Sequence, residues 1–276
     1  MLIDLHMHSS ESDGTDEPEN LLDLIALNNI KIFSLTDHDN IDGVKRIEDK
    51  LNNYKTLKFI RGVELSCRTK NIKCHILAFN YDYDNQDFKN ILQLAEDLRH
   101  VKLEKRLKFL RENFGIEFED SEIKILRDNS ASGKPHVANL IVKHGFAKNK
   151  EDAIKNFINK FESGDTRVDA ELAIQAVLKS GGVPVWAHPF GGEGEPEISQ
   201  ELLNLSLHEL KSYGLKGLEC YYSKYSQERR EYLASLALKN NLLISAGSDY
   251  HGKNKNIKLG IDVEDLNKVT ILNYLL

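Results

Sequence analysis

Asp4-Leu5-His6-Met7-His8 closes a short apolar run, Leu2–Leu5, near the head of the chain. The run reads as a first β-strand. Side chains alternate between the two faces of a strand, so His6 and His8 point the same way. Two imidazoles on one face at a strand end can share a metal ion, because neutral imidazole is a common ligand. A His-x-His pair on its own equally describes two polar residues at the end of a strand. The residues at the ends of the other strands separate the two readings.

Short apolar runs and helical patterns alternate along the first part of the chain. Asp16-Glu17-Pro18-Glu19 reads as a helix start, with an acidic cap, an early proline and a glutamate three residues on. Leu21, Leu22, Ile25 and Ala26 give that helix one apolar face. Strands are predicted at Lys31–Thr36, Leu57–Val63 and Lys73–Phe79, with a helix at Asp42–Tyr54. From about Asn85 to Ala170 no strand pattern appears. A long amphipathic helix over Asn85–Asn113, stopped by Gly115, precedes shorter helical segments near Glu119–Arg127, Pro135–Lys143 and Lys150–Phe161. The βα rhythm then returns. Helices are predicted at Ala170–Lys179, Glu197–Tyr213 and Gln227–Asn240, and strands at Val183–Ala187, Leu215–Cys220 and Leu242–Ala246. Gly181-Gly182 and Gly214 stop the first two of these helices. Gly260 to Leu276 supplies a last strand and helix. Six or seven βα units, with polar residues just past nearly every strand, indicate an α/β barrel whose strand ends converge on one face. The expected organisation is a barrel domain from 1–84 and 170–276, with 85–169 as a helical insertion on the substrate side.

Composition bounds the function. The 276 residues suffice for one large domain or a core with an insertion. With 29% charged residues, 41% hydrophobic residues and a net charge of −6, no long basic patch points to duplex DNA. Cys67, Cys74 and Cys220 show no zinc-type spacing and read as small buried hydrophobes. No apolar run approaches a membrane span, and no leader pattern precedes the first strand. The expectation is a cytoplasmic protein with neither a membrane nor duplex DNA as partner.

Candidate ligands stand at one predicted strand end after another. His6 and His8 follow the first strand, with Asp13 in its loop; the second ends in Thr36-Asp37-His38-Asp39 and the third in Gly62-Val63-Glu64. Cys74-His75-Ile76 lies on the fourth. After the helical stretch come Ala187-His188-Pro189 and Gly247-Ser248-Asp249-Tyr250-His251. Of ten histidines, six fall in these places, while His100, His136, His144 and His208 fall in helical segments. The mixture of imidazole and carboxylate without cysteine suits zinc, manganese or iron acting as a Lewis acid. Nine ligands exceed the need of one ion, and a carboxylate such as Glu64 can bridge two. Such a cluster polarises a phosphoryl oxygen and makes hydroxide available near neutral pH. Asp37 and Asp39, either side of His38, are candidates to orient an imidazole, and Asp39 equally to cap the next helix.

In this order the segments Asp4-Leu5-His6-Met7-His8-Ser9, Ser12-Asp13-Gly14, Thr36-Asp37-His38-Asp39, Gly62-Val63-Glu64, Ala187-His188-Pro189 and Gly247-Ser248-Asp249-Tyr250-His251-Gly252 resemble the successive motifs of the PHP (polymerase and histidinol phosphatase) family. The resemblance implies a distorted (β/α)7 barrel with a trinuclear centre of divalent ions, manganese first and iron or zinc as alternatives. It assigns His6, His8, Glu64 and Asp249 to one ion, Glu64, His75 and His188 to a second, and Asp13, His38 and His251 to a third. Glu64, His188 and Asp249 are the implied catalytic residues.

The helical insertion is similar to that of small bacterial PHP phosphoesterases acting on 3',5'-nucleoside bisphosphates and short 5'-phosphorylated RNA, which become the expected substrates. Lys134-Pro135-His136 resembles a segment of that branch that reaches over the active site, which makes Lys134 and His136 phosphate-binding candidates; a solvated helix start is the plain alternative. Tyr222-Ser223-Lys224-Tyr225-Ser226 resembles a substrate-side loop; Lys224 and Arg167 are weaker phosphate candidates, each with an ordinary surface role as the alternative. Tyr81, Tyr83 and Phe88 could stack on a base or pack in the core. Competing functions are a histidinol-phosphate or other small phosphate-ester phosphatase, an amidohydrolase-type C–N hydrolase, and a noncatalytic PHP domain.

Overall fold

In the computed structural model, residues 1–129, 132–162, 164, 166–193 and 196–276 are described. The chain begins β1 (Leu2–Asp4), α1 (Pro18–Leu27), β2 (Ile32–Phe33) and α2 (Asp42–Lys50). Next come β3 (Lys58–Phe59), β4 (Gly62–Arg68), β5 (Lys73–Phe79) and α3 (Gln86–Phe114). Asn85 caps α3 by accepting from Phe88 N–H, and Gly115 ends it in the left-handed region (φ 64°), as the sequence pattern predicts. Three short helices follow, α4 (Asp120–Asp128), α5 (Lys134–Lys143) and α6 (Lys150–Asn156). A two-residue strand, β6 (Val168–Asp169), then leads into α7 (Ala170–Lys179). The last part is β7 (Val183–Trp186), α8 (Gln200–Ser212), β8 (Gly217–Tyr222), α9 (Gln227–Lys239), β9 (Leu243–Gly247), β10 (Ile261–Asp262) and α10 (Leu272–Leu275).

The fold is mixed α/β, with one sheet ordered β10-β1-β2-β3 and another ordered β6-β4-β5-β7-β8-β9. β1, β2 and β3 run parallel, as do β7, β8 and β9. β5 departs from the parallel βα expectation: it is antiparallel to both β4 and β7. The link between β4 and β5 is a tight turn in which Thr69 N–H donates to Ile72 O, far too short for a crossover helix.

The predicted strand Leu57–Val63 is in fact two strands. Ile60 N–H still donates to Phe33 O, but beyond Arg61 the chain pairs with β5 instead. Gly62 makes the switch possible, because a Cβ there would lie 2.1 Å from Ser34 Oγ. Glu64 is therefore the third residue of β4, not a strand terminus. Isolated bridges join Met7 to Tyr250 and His38 to Glu64 of β4, and Leu5 N–H donates to Ala246 O at 3.0 Å.

The main core joins β4, β5, β7, β8 and β9 to α7, α8, α9 and the first part of α3. Tyr81 and Phe88 belong to it. Both are fully buried with stacked rings 4.2 Å apart, and Tyr81 Oη donates to Gly62 O, so they pack rather than offer a platform for a base. Leu103, Leu110, Leu126, Val137, Ile141 and Ile158 form a separate core among the helices. α3 serves both, with Phe88, Ile91 and Ala95 in the first and Leu103 and Leu110 in the second. Among the described residues no helix is long and apolar enough to cross a membrane.

Candidate active site

All nine sequence-predicted ligands meet in one place. His6 and His8 follow β1, Asp13 lies in the next loop, His38 follows β2, His188 follows β7, and Asp249 and His251 follow β9. Glu64 and His75 come from the β4–β5 hairpin. Glu64 is central. Its Oε2 lies 3.3, 3.2 and 3.1 Å from His6 Nε2, His8 Nε2 and His38 Nδ1, and its Oε1 lies 3.3 and 3.1 Å from His75 Nδ1 and His188 Nε2. Asp13 Oδ1 is 3.0 Å from His251 Nε2. Ligand atoms lie within 4.8 Å of one another in three groups: His6, His8, Glu64 and Asp249; His8, Asp13, His38 and His251; and His38, Glu64 and His75. The first reproduces the expected set. In the others His38 faces Glu64 as well as Asp13, and His188 joins through its contact with Glu64 Oε1.

These residues fit metal ions. His6 Nε2, His8 Nε2, His251 Nε2, His38 Nδ1, Asp13 Oδ1 and Glu64 Oε2 are buried without a hydrogen-bond partner. Leaving that many polar atoms unpaired in one spot is strongly unfavourable unless a cation completes them. Three of the rings are also fixed from behind. His6 Nδ1 is 2.9 Å from Glu219 Oε1, His8 Nδ1 is 3.4 Å from Ser12 Oγ, and His251 Nδ1 donates to Asp249 O at 2.8 Å. A proton held at Nδ1 leaves the Nε2 lone pair facing inward. Asp37 acts at one remove: its carboxylate accepts from Ser9 N–H, Ser9 Oγ and Ser12 Oγ, and so fixes the loop under His8.

The carboxylates of the cluster are held ionised. Burial pushes the Glu64 carboxyl up, but the His38, His75 and His6 imidazoles outweigh it and hold it well below the usual carboxylate range. Burial likewise opposes ionisation of Asp249, and Lys255 and His251 overcome it. Lys255 Nζ donates to Asp249 Oδ2 at 2.8 Å, and Tyr222 Oη donates to the same oxygen at 3.1 Å. Backbone strain gathers at the same place, with His188 at φ 28° and Asp249 at φ 62°.

The centre opens into a cleft of about 680 Å³. One part of its lining is basic. Arg99, Lys102 and Arg106 project from α3, and Arg167 precedes β6. Arg106 is 3% exposed, and the Nε atoms of Arg99, Arg106 and Arg167 are buried without hydrogen-bond partners. Burial first, and then Arg167, Arg106 and Arg99, lower the Lys102 ammonium to a pKa of about 6. Arg99 is anchored to Asp39 and Ser66 Oγ, and Arg167 to Cys74 O. Asp39 thus serves Arg99 rather than the next helix, whose Asp42 N–H is capped by Asn40.

The predicted phosphate contacts are distributed unevenly. Lys134 lines the cleft, with Nζ donating to Asn159 Oδ1 at 2.9 Å. His136 Nδ1 accepts from Gly133 N–H and closes the first turn of its own helix. Lys224 lies outside the cleft lining, donating to Asn256 O and pairing with Glu193. Sequence reasoning missed Arg99, Lys102, Arg106, Lys255 and Glu219. Glu219 carried a signal, an acidic residue in an otherwise apolar strand run, whereas the α3 cations carried none among that helix's many charges.

The model of the PHP domain family matches residues 4–169. A 5'-3' exoribonuclease of Haemophilus influenzae is 26% identical over 96% of this chain and 96% of its own length. A 3',5'-nucleoside bisphosphate phosphatase of Chromobacterium violaceum is 25% identical, over 90% of this chain and 87% of its own. A solved structure from Bifidobacterium adolescentis, described as a metal-dependent phosphoesterase, superposes with a TM-score of 0.82 at 25% identity, covering 98% of this chain and 94% of that one.

Proposed function

The chain belongs to the PHP domain family, and we propose that it removes or cleaves at a phosphate of nucleotides that carry a second phosphate: 3',5'-nucleoside bisphosphates or the end of short 5'-phosphorylated RNA. That it is a metal-dependent hydrolase of phosphate esters follows from the family and its relatives. The observation that carries the substrate reading is the division of one cleft between a His-carboxylate centre and a wall of four cations, Arg99, Lys102, Arg106 and Arg167. A cleft of this volume suits a nucleotide-sized ligand. Guanidinium forks bind phosphate oxygens in pairs. An amino-alcohol phosphate such as histidinol phosphate would bring a positive charge to that wall. The names of the two curated relatives also concern nucleotides, one a bisphosphate and the other RNA.

We take the centre to hold three divalent ions, manganese before iron or zinc. His6, His8, Glu64 and Asp249 would hold the first, Glu64, His75 and His188 the second, and Asp13, His38 and His251 the third. When bound, such ions neutralise phosphoryl charge and bring the pKa of water near neutrality. The chain's own part is positioning. Glu64 presents one oxygen to each side of the centre, Lys255 and Tyr222 hold Asp249 Oδ2 so that Oδ1 faces inward, and the cation wall fixes the second phosphate. Water adds to phosphorus, and the ester oxygen leaves with a proton. We read the strands as one distorted (β/α)7 barrel, joined where Leu5 meets Ala246 and where His38 bridges Glu64, with 85–169 as a substrate-side insertion.

The test is product release with added manganese from adenosine 3',5'-bisphosphate, adenosine 5'-monophosphate, histidinol phosphate and a 5'-phosphorylated trinucleotide RNA. The bisphosphate and the RNA are expected to exceed the other two by about 10–100-fold in kcat/KM, the worth of one or two charge-assisted contacts. Faster turnover of histidinol phosphate would overturn the substrate reading.

A further inference from the structure

Glu219 is the third residue of β8, is fully buried, and does not line the cleft. Its two oxygens accept from two different partners: Oε1 from His6 Nδ1–H at 2.9 Å, and Oε2 from the His188 backbone N–H at 2.8 Å. Those partners face opposite oxygens of Glu64, His6 Nε2 toward Oε2 at 3.3 Å and His188 Nε2 toward Oε1 at 3.1 Å. The two imidazoles lie nearly parallel, 5.7 Å apart. Three features of the fold converge on this carboxylate. The β8–β9 register shifts between Glu219 and Tyr221, the kind of irregularity that re-aims a side chain. Gly247 on β9 leaves the space the pair needs, since a Cβ there would lie 2.2 Å from His6 Cβ and 2.8 Å from Glu219 Oε1. His188 stands at φ 28°, a conformation that needs an external restraint, and Glu219 Oε2 supplies one at its N–H.

We propose that Glu219 is the positioning residue that couples the two sides of Glu64. It sets the His6 tautomer with Nε2 bare, and it pins the strained His188 backbone so that both rings face the shared carboxylate. This rests on reading the cluster as a metal centre. Two acceptor oxygens are required, because both neighbours are donors. Glutamine offers one acceptor and one donor, so Glu219→Gln must set its amide N–H against either His188 N–H or His6 Nδ1–H. In the third group, Asp13, His38 and His251, the anchors are different ones: Asp13 Oδ1 faces His251 Nε2, and His251 Nδ1 donates to Asp249 O.

The test is manganese binding to wild type and Glu219→Gln by equilibrium dialysis against buffered metal, with circular dichroism to confirm folding. In the variant the affinity of two of the sites is expected to fall about 10–100-fold while the remaining site is kept. A folded variant with wild-type affinity and stoichiometry overturns the proposal. Wild type that binds no metal overturns the metal-centre reading instead. Should Glu219→Gln not fold, nitrogen NMR of histidine-labelled, zinc-loaded wild type decides: His6 must carry its proton on Nδ1, and a proton on Nε2 refutes the assignment.

Discussion

On one side of the cleft, His6, His8 and His251 each have Nδ1 set against Glu219, Ser12 or a backbone carbonyl, so their inward nitrogens are aimed before anything binds. On the other side, Arg99, Arg106 and Arg167 keep buried Nε atoms without partners, and burial and then its cationic neighbours hold the Lys102 pKa down. The first side is built from strands and the segments immediately after them; the second hangs mainly on the face of a helix that links two cores. Anchored imidazoles on one side and guanidinium groups with unpartnered Nε atoms on the other fit a division of labour. On the proposed function, the strand side performs the reaction and the helix side selects what is brought to it.

That division breaks most severely at Glu64. Glu64→Ala removes the carboxylate that five imidazoles face, and should lower turnover of every substrate by about 10³-fold or more, together with bound metal. Product release and metal content check this, and retention of both would dissolve the proposed centre. Arg106→Met should act on selection alone. KM for adenosine 3',5'-bisphosphate should rise about 10–100-fold, while KM for p-nitrophenyl phosphate, which has no second phosphate, should move less than about twofold. Equal losses on both substrates would merge the two walls into one function.

A third expectation concerns pH. Lys102 has a folded pKa of about 6, so it is mostly neutral at about pH 8 and charged at about pH 5. An anion favours the charged form and raises that pKa. Inhibition by sulfate, which does not titrate in this range, should therefore strengthen a few-fold as pH falls toward 6 and then level off. In Lys102→Met the profile should be flat, and a wild-type profile flat from the start would remove Lys102 from the anion site. The smallest effect is expected at Lys224. Lys224 does not itself line the cleft and its Nζ is engaged by Asn256 O and Glu193, so Lys224→Ala should leave kcat/KM within about twofold.

The strand side was largely legible in the sequence because its ligands stand in short motifs on or just past apolar runs. Regular local signals placed α3 and α7 almost to the residue. Two things escaped. The β4–β5 hairpin looked like two further parallel strands, since apolar periodicity reports burial but not direction; the missing helix between them was the available clue. The cation wall escaped because Arg99, Lys102 and Arg106 share α3 with Lys105, Lys108 and Arg111. Only tertiary packing determines which of these face a cavity. Lys224, in contrast, drew attention through a resembling loop, and the fold turns it toward Glu193.

The division of labour stands or falls on Glu64 holding metal on both of its oxygens. Anomalous diffraction at the manganese edge, from crystals grown with manganese, measures this directly. About three peaks per chain are expected, with Glu64 Oε1 and Oε2 each ligating a different one. A folded chain with no peak beside Glu64, or with a single ion there touching only one oxygen, would contradict it.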